Sequence, residues 1–137
     1  MNSDIFFNVA LKEAYKAYKQ GEVPVGAVIV KNNRIIAKAH NIVEKTKDCS
    51  NHAEILAIKK ASKKLKNWRL IDCDLFVTLE PCNMCKGAIE LARIENIYYL
   101  APKKLTLEKK NKSYIKSNYY SLEYIRLLKS FFIEKRE

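Results

Sequence analysis

Apolar side chains recur at the helical period from the start of the chain. Phe6, Val9, Ala10, Glu13, Ala14 and Ala17 fall on one stripe over residues 4–19, with Ser3 placed to cap the segment and Gly21 just beyond its end. This predicts a helix with one face on a core. Val25 to Val30 is short and apolar throughout, the pattern of a strand covered on both sides. Asn32-Asn33 is a turn signal, and Arg34 to His40 reads as a second strand pairing back. A polar loop over 41–51 leads into a helix over 52–66, on which Ile55, Ile58, Ser62 and Leu65 are expected inward and Lys59, Lys63 and Lys66 outward. Leu75 to Leu79 reads as a third strand, 82–93 as a helix and Ile97 to Leu100 as a fourth strand. A lysine-rich link over 102–112 follows. Ser113 to Tyr120 reads as a fifth strand or as the start of the last helix, Ser121 to Arg136. On that helix Leu122, Ile125, Leu128 and Phe132 form the expected apolar stripe, with Phe131 beside it.

The order helix, hairpin, helix, strand, helix, strand, possible strand, helix predicts a three-layer α/β/α sandwich around a mixed five-stranded sheet. Two strands joined by a helix imply a parallel pair with a right-handed crossover. Ligands in such sheets lie beyond the carboxyl ends of the strands. A length of 137 residues predicts a single domain over 1–137. No apolar run is long enough to span a membrane, and Met1-Asn2-Ser3-Asp4 lacks the basic-then-apolar order of a leader. The expectation is a cytoplasmic protein with no membrane partner. In a reducing compartment, four cysteines argue for a metal or free thiols rather than disulfides. Cys73, between Asp72 and Asp74, reads as a small residue at a strand start.

A net charge of +11, from 26 basic and 15 acidic residues, points to an acidic partner, most simply a nucleic acid. Genome base composition alone can produce such a lysine excess, so placement carries more weight. Lys59, Lys60, Lys63, Lys64, Lys66 and Arg69 form a run without an acid. Two readings stay open for it, a solvated helix face and a set of phosphate contacts.

The candidate chemistry lies in two short motifs, His52-Ala53-Glu54 and Pro81-Cys82-Asn83-Met84-Cys85. A catalytic zinc takes three protein ligands and keeps one position open for water. Cys82 and Cys85, three apart on a helix, point to one side and supply soft thiolates, and His52 supplies an imidazole. Glu54, at i+2 from His52, is poorly placed to share an ion with it and better placed to move protons. Both motifs open predicted helices, whose positive ends favour thiolates, and Pro81 suits a helix start. A closed structural site with Cys49 or Cys73 as fourth ligand is the competing reading. His40 reads as a packing residue at a strand end.

The order His-x-Glu then Pro-Cys-x-x-Cys is the zinc deaminase signature, and the chain resembles the cytidine deaminase superfamily. Within it, the chain is similar to the bacterial tRNA adenosine deaminases. The closer likeness rests on Glu22-Val23-Pro24-Val25-Gly26-Ala27-Val28, Asn32-Asn33-Arg34, Asn41, Asp48, Asn67-Trp68-Arg69-Leu70-Ile71-Asp72, Val77 to Cys82, and Leu127 to Phe132 with Lys135-Arg136. It covers residues 1–100 nearly continuously and then 121–136. The resemblance implies a cytidine deaminase-like fold and one Zn2+ per subunit on His52, Cys82 and Cys85. It implies Glu54 as proton shuttle, Asn41 as a contact to the nucleoside, and Val25, Gly26 and Ala27 at the base pocket. It further implies a homodimer, a tRNA anticodon loop touching both subunits, conversion of adenosine to inosine at the wobble position, and no DNA partner. Two departures stand out: Pro102 to Asn111 is short and lysine-rich where the family has a longer connection with Gly and Ala, and His40 stands where a larger aromatic residue is usual. The rival functions are a deaminase of a free nucleobase or nucleoside, of the guanine or cytosine type, and a non-catalytic zinc-stabilised RNA-binding module.

Overall fold

Helix α1 (Ser3–Lys19) stops where the sequence places Gly21. Gly21 takes φ 76°, which lets its N–H reach the Tyr18 carbonyl at 3.1 Å and the Glu22 N–H reach that of Ala17 at 2.9 Å. This is the Schellman closure that glycine permits without strain. Strands β1 (Gly26–Lys31) and β2 (Arg34–His40) form the expected hairpin. Asn32 and Asn33 both take positive φ, 52° and 60°, as a two-residue turn matched to strand twist requires. The loop that follows holds a one-turn helix, α2 (Val43–Thr46), before α3 (Ala53–Leu65). Then come β3 (Cys73–Leu79), α4 (Asn83–Leu91), β4 (Asn96–Ala101), β5 (Ile115–Lys116) and α5 (Leu122–Lys135). The structure, a computed structural model, describes residues 3–103, 115–116 and 121–135. Most of the lysine-rich link and of the segment Ser113 to Tyr120 therefore lies outside the described residues.

The sheet runs β2-β1-β3-β4-β5. β1 pairs antiparallel with β2 and β3, whereas β3–β4 and β4–β5 are parallel. The sheet is mixed, as expected. It has four full strands rather than five, because the fifth position holds only the two-residue pairing of Ile115 and Lys116 with Ile97 and Tyr98. Alternate side chains divide between two cores. Ala27, Ile29, Leu75, Val77, Ile97 and Tyr99 pack under α3 and α4. Val28, Val30, Phe76, Tyr98 and Leu100 pack under α1 and α5. Phe76 stacks on Tyr98 with centroids 4.8 Å apart, and Phe6 and Phe7 tilt onto it at 5.1 and 5.2 Å.

Two helix faces differ from expectation. On α3 the deeply buried residues are Ala53, Glu54, Ala57 and Ala61, while Ile55, Ile58 and Leu65 pack as part-buried flanks. The small alanines let the helix axis lie close to the sheet, and the larger side chains splay to either side. On α5 the buried face is Tyr124, Ile125, Leu127 and Phe131, whereas Leu122 is 59% and Phe132 47% exposed. Apolar residues cover more than half the circumference of this helix, so periodicity cannot choose its inner face. The choice is made at its start, where the Ser121 hydroxyl accepts the Tyr124 N–H at 3.1 Å and Ser121 N–H bonds the Leu100 carbonyl at 3.2 Å.

Helix α1 and strand β1 approach to backbone contact at Gly26. A Cβ there would lie 2.0 Å from the Ala10 carbonyl oxygen and 2.7 Å from the Ala14 nitrogen, both backbone atoms of α1. Gly26→Ala is expected to cost more than about 3 kcal/mol or to prevent folding, since backbone cannot yield to an overpacked core. Gly87, inside α4, has open space around it, so Gly87→Ala should stabilise by about 0.5–1 kcal/mol. Urea denaturation of both variants beside the parent checks the contrast.

Candidate metal centre and active site

Topology brings four strand ends together. Because β1 runs against β2 and β3, and β4 runs with β3, the start of β1 shares one sheet edge with the ends of β2, β3 and β4. The Asn41 N–H bonds the Val25 carbonyl at 3.2 Å across this edge, and Glu80 N–H bonds the Ala101 carbonyl at 2.9 Å. Helices α3 and α4 both begin beyond the same edge. His52 and Cys82 are their N-cap residues, each in extended conformation and with no side-chain capping hydrogen bond. The cap positions are thus occupied by side chains that turn towards each other instead of back onto their helices.

The donor atoms of His52, Cys82 and Cys85 all lie within 4.8 Å of one another and form a group that can hold a metal ion. His52 Nδ1 is 3.6 Å from Cys82 Sγ and 3.5 Å from Cys85 Sγ. Burial, together with the neighbouring Glu54 and Cys82, pushes the Cys85 thiol far above its ordinary range. A cation among the three donors reverses that penalty, because it makes the thiolate the favoured form.

Glu54 stands outside the donor group and is 4% exposed. Burial raises its carboxyl to about 7, against the lowering effects of a bond from its own backbone N–H and one from the Cys85 thiol. A carboxyl poised near neutrality suits proton transfer in both directions. Glu54 lines a cavity of about 240 Å3 together with Val23, Val25, Asn41, His52 and Cys82. Val43, Leu79, Glu80 and Lys103 complete its wall.

Of the residues expected at a base pocket, Val25 and Asn41 line this cavity. Ala27 does not, since it is fully buried in the core between β1 and α3, and Gly26 faces α1. Asn41 is buried, and its Oδ1 accepts the Ala53 N–H at 2.7 Å. It thereby satisfies a free donor at the start of α3 that the His52 side chain leaves open. His40 makes no part of the site: its Nδ1 meets Glu13 Oε1 at 3.0 Å on the α1 side. Burial raises the Glu13 carboxyl, but its bonds to Lys16 and His40 outweigh this and leave it below its ordinary value. Cys49 is exposed and Cys73 is buried at the start of β3, at the opposite sheet edge. Neither joins the donor group, so among the described residues the group has three candidate donors rather than four.

Three positions around the cavity carried no periodic signal and lie outside the His-x-Glu and Pro-Cys-x-x-Cys motifs. Buried Glu22 accepts the N–H groups of Glu44 and Lys45, both at 2.9 Å, and so fixes α2 and with it Val43. Glu80 accepts the Lys103 N–H at 3.2 Å and meets Lys86 Nζ at 3.3 Å at the cavity mouth. Val43 lies in a stretch read from the sequence as polar loop. The lysine run of α3 is exposed. Lys60 Nζ is tied to the Lys38 carbonyl at 3.0 Å, and Arg69 stacks 4.3 Å over the Trp68 ring. At about 1.5 Å rise per residue the run begins roughly 10 Å and ends roughly 20 Å along the helix from His52.

The sequence profile of the MafB19-like deaminase family matches residues 1–136. A tRNA-specific adenosine deaminase of Aquifex aeolicus is 54% identical over 101 residues, which are 74% of this chain and 67% of that protein. The chain belongs to this deaminase family. It spans 55–60% of the length of several other bacterial relatives. A solved structure from work on A-to-I editing by tRNA:A34 deaminases at the wobble position superposes with TM-score 0.76 at 35% identity. It covers 86% of this chain and 100% of that one. A guanine deaminase from Bacillus subtilis superposes with TM-score 0.70 at 31% identity, covering 97% and 95%. No helix among the described residues is long and apolar enough to cross a membrane.

In this deaminase, Asn41→Ala should cost about 1–3 kcal/mol, because it leaves the buried Ala53 N–H without an acceptor. Asn51→Ala removes an exposed side-chain bond to Thr46 and should stay within about 0.5 kcal/mol of the parent. Thermal unfolding of the pair measures the difference.

Proposed function

We propose that the chain is a single zinc-dependent deaminase domain that converts adenosine to inosine at the wobble position of tRNA. The observation that carries this reading is the convergence of two thiols and one imidazole in one donor group, two members of which, His52 and Cys82, share a cavity with the separate buried carboxylate of Glu54. The donor set fits zinc. With Zn–N of about 2.0 Å and Zn–S of about 2.3 Å at tetrahedral angles, nitrogen and sulfur stand about 3.5 Å apart, beside the 3.5 and 3.6 Å found here. His52, Cys82 and Cys85 would hold the ion and leave one position open.

When bound, zinc supplies a Lewis acid that brings the pKa of water towards neutrality. Glu54 accepts the proton of the water whose oxygen adds at C6 of adenine. It passes that proton to the ring, then takes the second proton from the hydroxyl now on C6 and gives it to the departing amino group, so that ammonia leaves and the water oxygen remains on the base as a carbonyl. Val23, Val25, Val43 and Leu79 give the base apolar walls. With its Oδ1 held by Ala53, Asn41 presents its amide nitrogen to the nucleoside.

The target lies in a single-stranded loop, where little unpairing energy is needed. The exposed lysines then act on phosphates beyond the loop and make binding weaken with salt. With this reading go one zinc per subunit, a homodimer that shares the anticodon loop, a cytoplasmic location, and no role for DNA or a membrane. The likeness to a guanine deaminase supports a second reading, in which the same chemistry acts on a free base.

The test is a side-by-side assay of the zinc-loaded protein on an anticodon stem-loop with adenosine at the wobble position, free adenosine, guanine and cytidine. Inosine forming in the RNA alone supports the proposal, and turnover of a free base with the RNA untouched replaces it by the second reading. Glu54→Ala should lower turnover at least about a hundredfold while zinc content stays at the parent value. Cys82→Ala and Cys85→Ala should lose zinc when measured by elemental analysis.

A further inference from the structure

Three tyrosine hydroxyls tie α5 to the rest of the protein. Two are at the exposed rim, where Tyr15 donates to Glu123 at 2.9 Å and Tyr18 donates to Glu134. The third is different. Tyr124 is 0% exposed, and its hydroxyl donates to the Pro24 carbonyl at 2.8 Å.

Pro24 lies between Val23 and Val25, both of which line the catalytic cavity. The Val25 N–H bonds the Val23 carbonyl at 2.8 Å, so these three residues form a γ-turn centred on Pro24. Such a turn is closed on its inner side by one short bond. Its middle carbonyl points away and needs a partner of its own when buried. Tyr124 is that partner. The Thr78 hydroxyl neighbours the same phenol and accepts the Gly26 N–H at 3.2 Å. Thr78 stands one residue before Leu79 and four before Cys82 on the strand that leads to the metal ligands. One buried phenol thus joins the C-terminal helix, the cavity wall and the strand that carries the ligands.

We infer that Tyr124 is a positioning residue: through the Pro24 carbonyl it sets the Val23–Val25 wall of the cavity against the side that holds Glu54, and so controls how a base fits. The inference rests on the deaminase reading of the cavity and adds a residue remote in sequence from both motifs. It assigns α5 a role in base selection that its exposed ties to α1 do not have.

The test compares Tyr124→Phe with Tyr15→Phe in the full, zinc-loaded chain. Each removes one hydroxyl tie of α5, but only the first touches the cavity wall. Tyr124→Phe should raise KM for the anticodon stem-loop about three- to tenfold, the worth of one such bond, with kcat within about threefold and zinc content unchanged. Its preference for adenosine over 2,6-diaminopurine at the target position should narrow. Tyr15→Phe should leave KM and this preference at the parent values. Independently of any activity, amide hydrogen exchange at Val25 should accelerate about three- to tenfold in Tyr124→Phe alone. A lowered Tm with KM, base preference and Val25 exchange all unchanged would overturn the inference and leave Tyr124 a packing residue. Equal effects in both variants would overturn it too, by showing that general docking of α5 is what counts. If the parent turns over free guanine instead of the RNA, the substrate reading fails, while Val25 exchange and KM for guanine still decide the role of Tyr124.

Discussion

The site depends on one geometric constraint: two helices must start at the same point beyond one sheet edge. Hydrogen-bonded ladders supply it. The parallel pairing of β3 with β4 forces α4 to cross back over the sheet, so that it begins where β3 ends. The antiparallel pairing of β1 with β2 and β3 brings the end of β2, and the loop into α3, to the same edge. His52 and Cys82 then meet as N-caps, about thirty residues apart in the chain and within 3.6 Å in space. The free N–H groups and positive ends of both helices face the place where thiolates and a carboxylate are wanted.

Placing polar groups there has a cost that hydrogen bonds offset. Among the described residues, the buried polar or charged side chains are Glu13, Glu22, Asn41, Glu54 and Thr78. Four of them have a plain structural partner: His40 and Lys16 for Glu13, two backbone N–H groups for Glu22, the Ala53 N–H for Asn41 and the Gly26 N–H for Thr78. An unsatisfied group in such places costs about 1–3 kcal/mol, and the bonds of Glu22, Asn41 and Thr78 also hold elements that flank the cavity. Glu54 differs, because its surroundings leave the charged form poorly stabilised. That is a liability for stability and an asset for moving protons.

The core restricts how these parts can shift. Gly26 admits α1 to backbone contact with β1, which fixes the register of the strand whose first residues wall the cavity. On the other face, the alanines of α3 hold it close to the sheet. The cavity is therefore bounded by elements that cannot be displaced without opening a packed layer.

By itself the sequence determined most of the elements and the candidate chemistry. Periodicity, the turn at Asn32-Asn33 and the stop at Gly21 are local properties, carried by side-chain spacing and by residues that tolerate positive φ, and they are legible without neighbours. The ligand spacing at Cys82 and Cys85 and the offset of Glu54 from His52 are local too. Only the tertiary structure decided which face of α5 turns inward, since a helix apolar on most sides carries no preference until Ser121 and Tyr124 find their partners. It also decided that Ala27 lies in the core while Val23, Val43 and Lys103 reach the cavity, and that Cys49 and Cys73 stay away from the metal donors. Glu22, Asn41 and Tyr124 gain their roles from one or two hydrogen bonds to backbone atoms 12 to 100 residues distant. Such bonds leave no period or motif behind, because a backbone N–H or carbonyl is the same at every position.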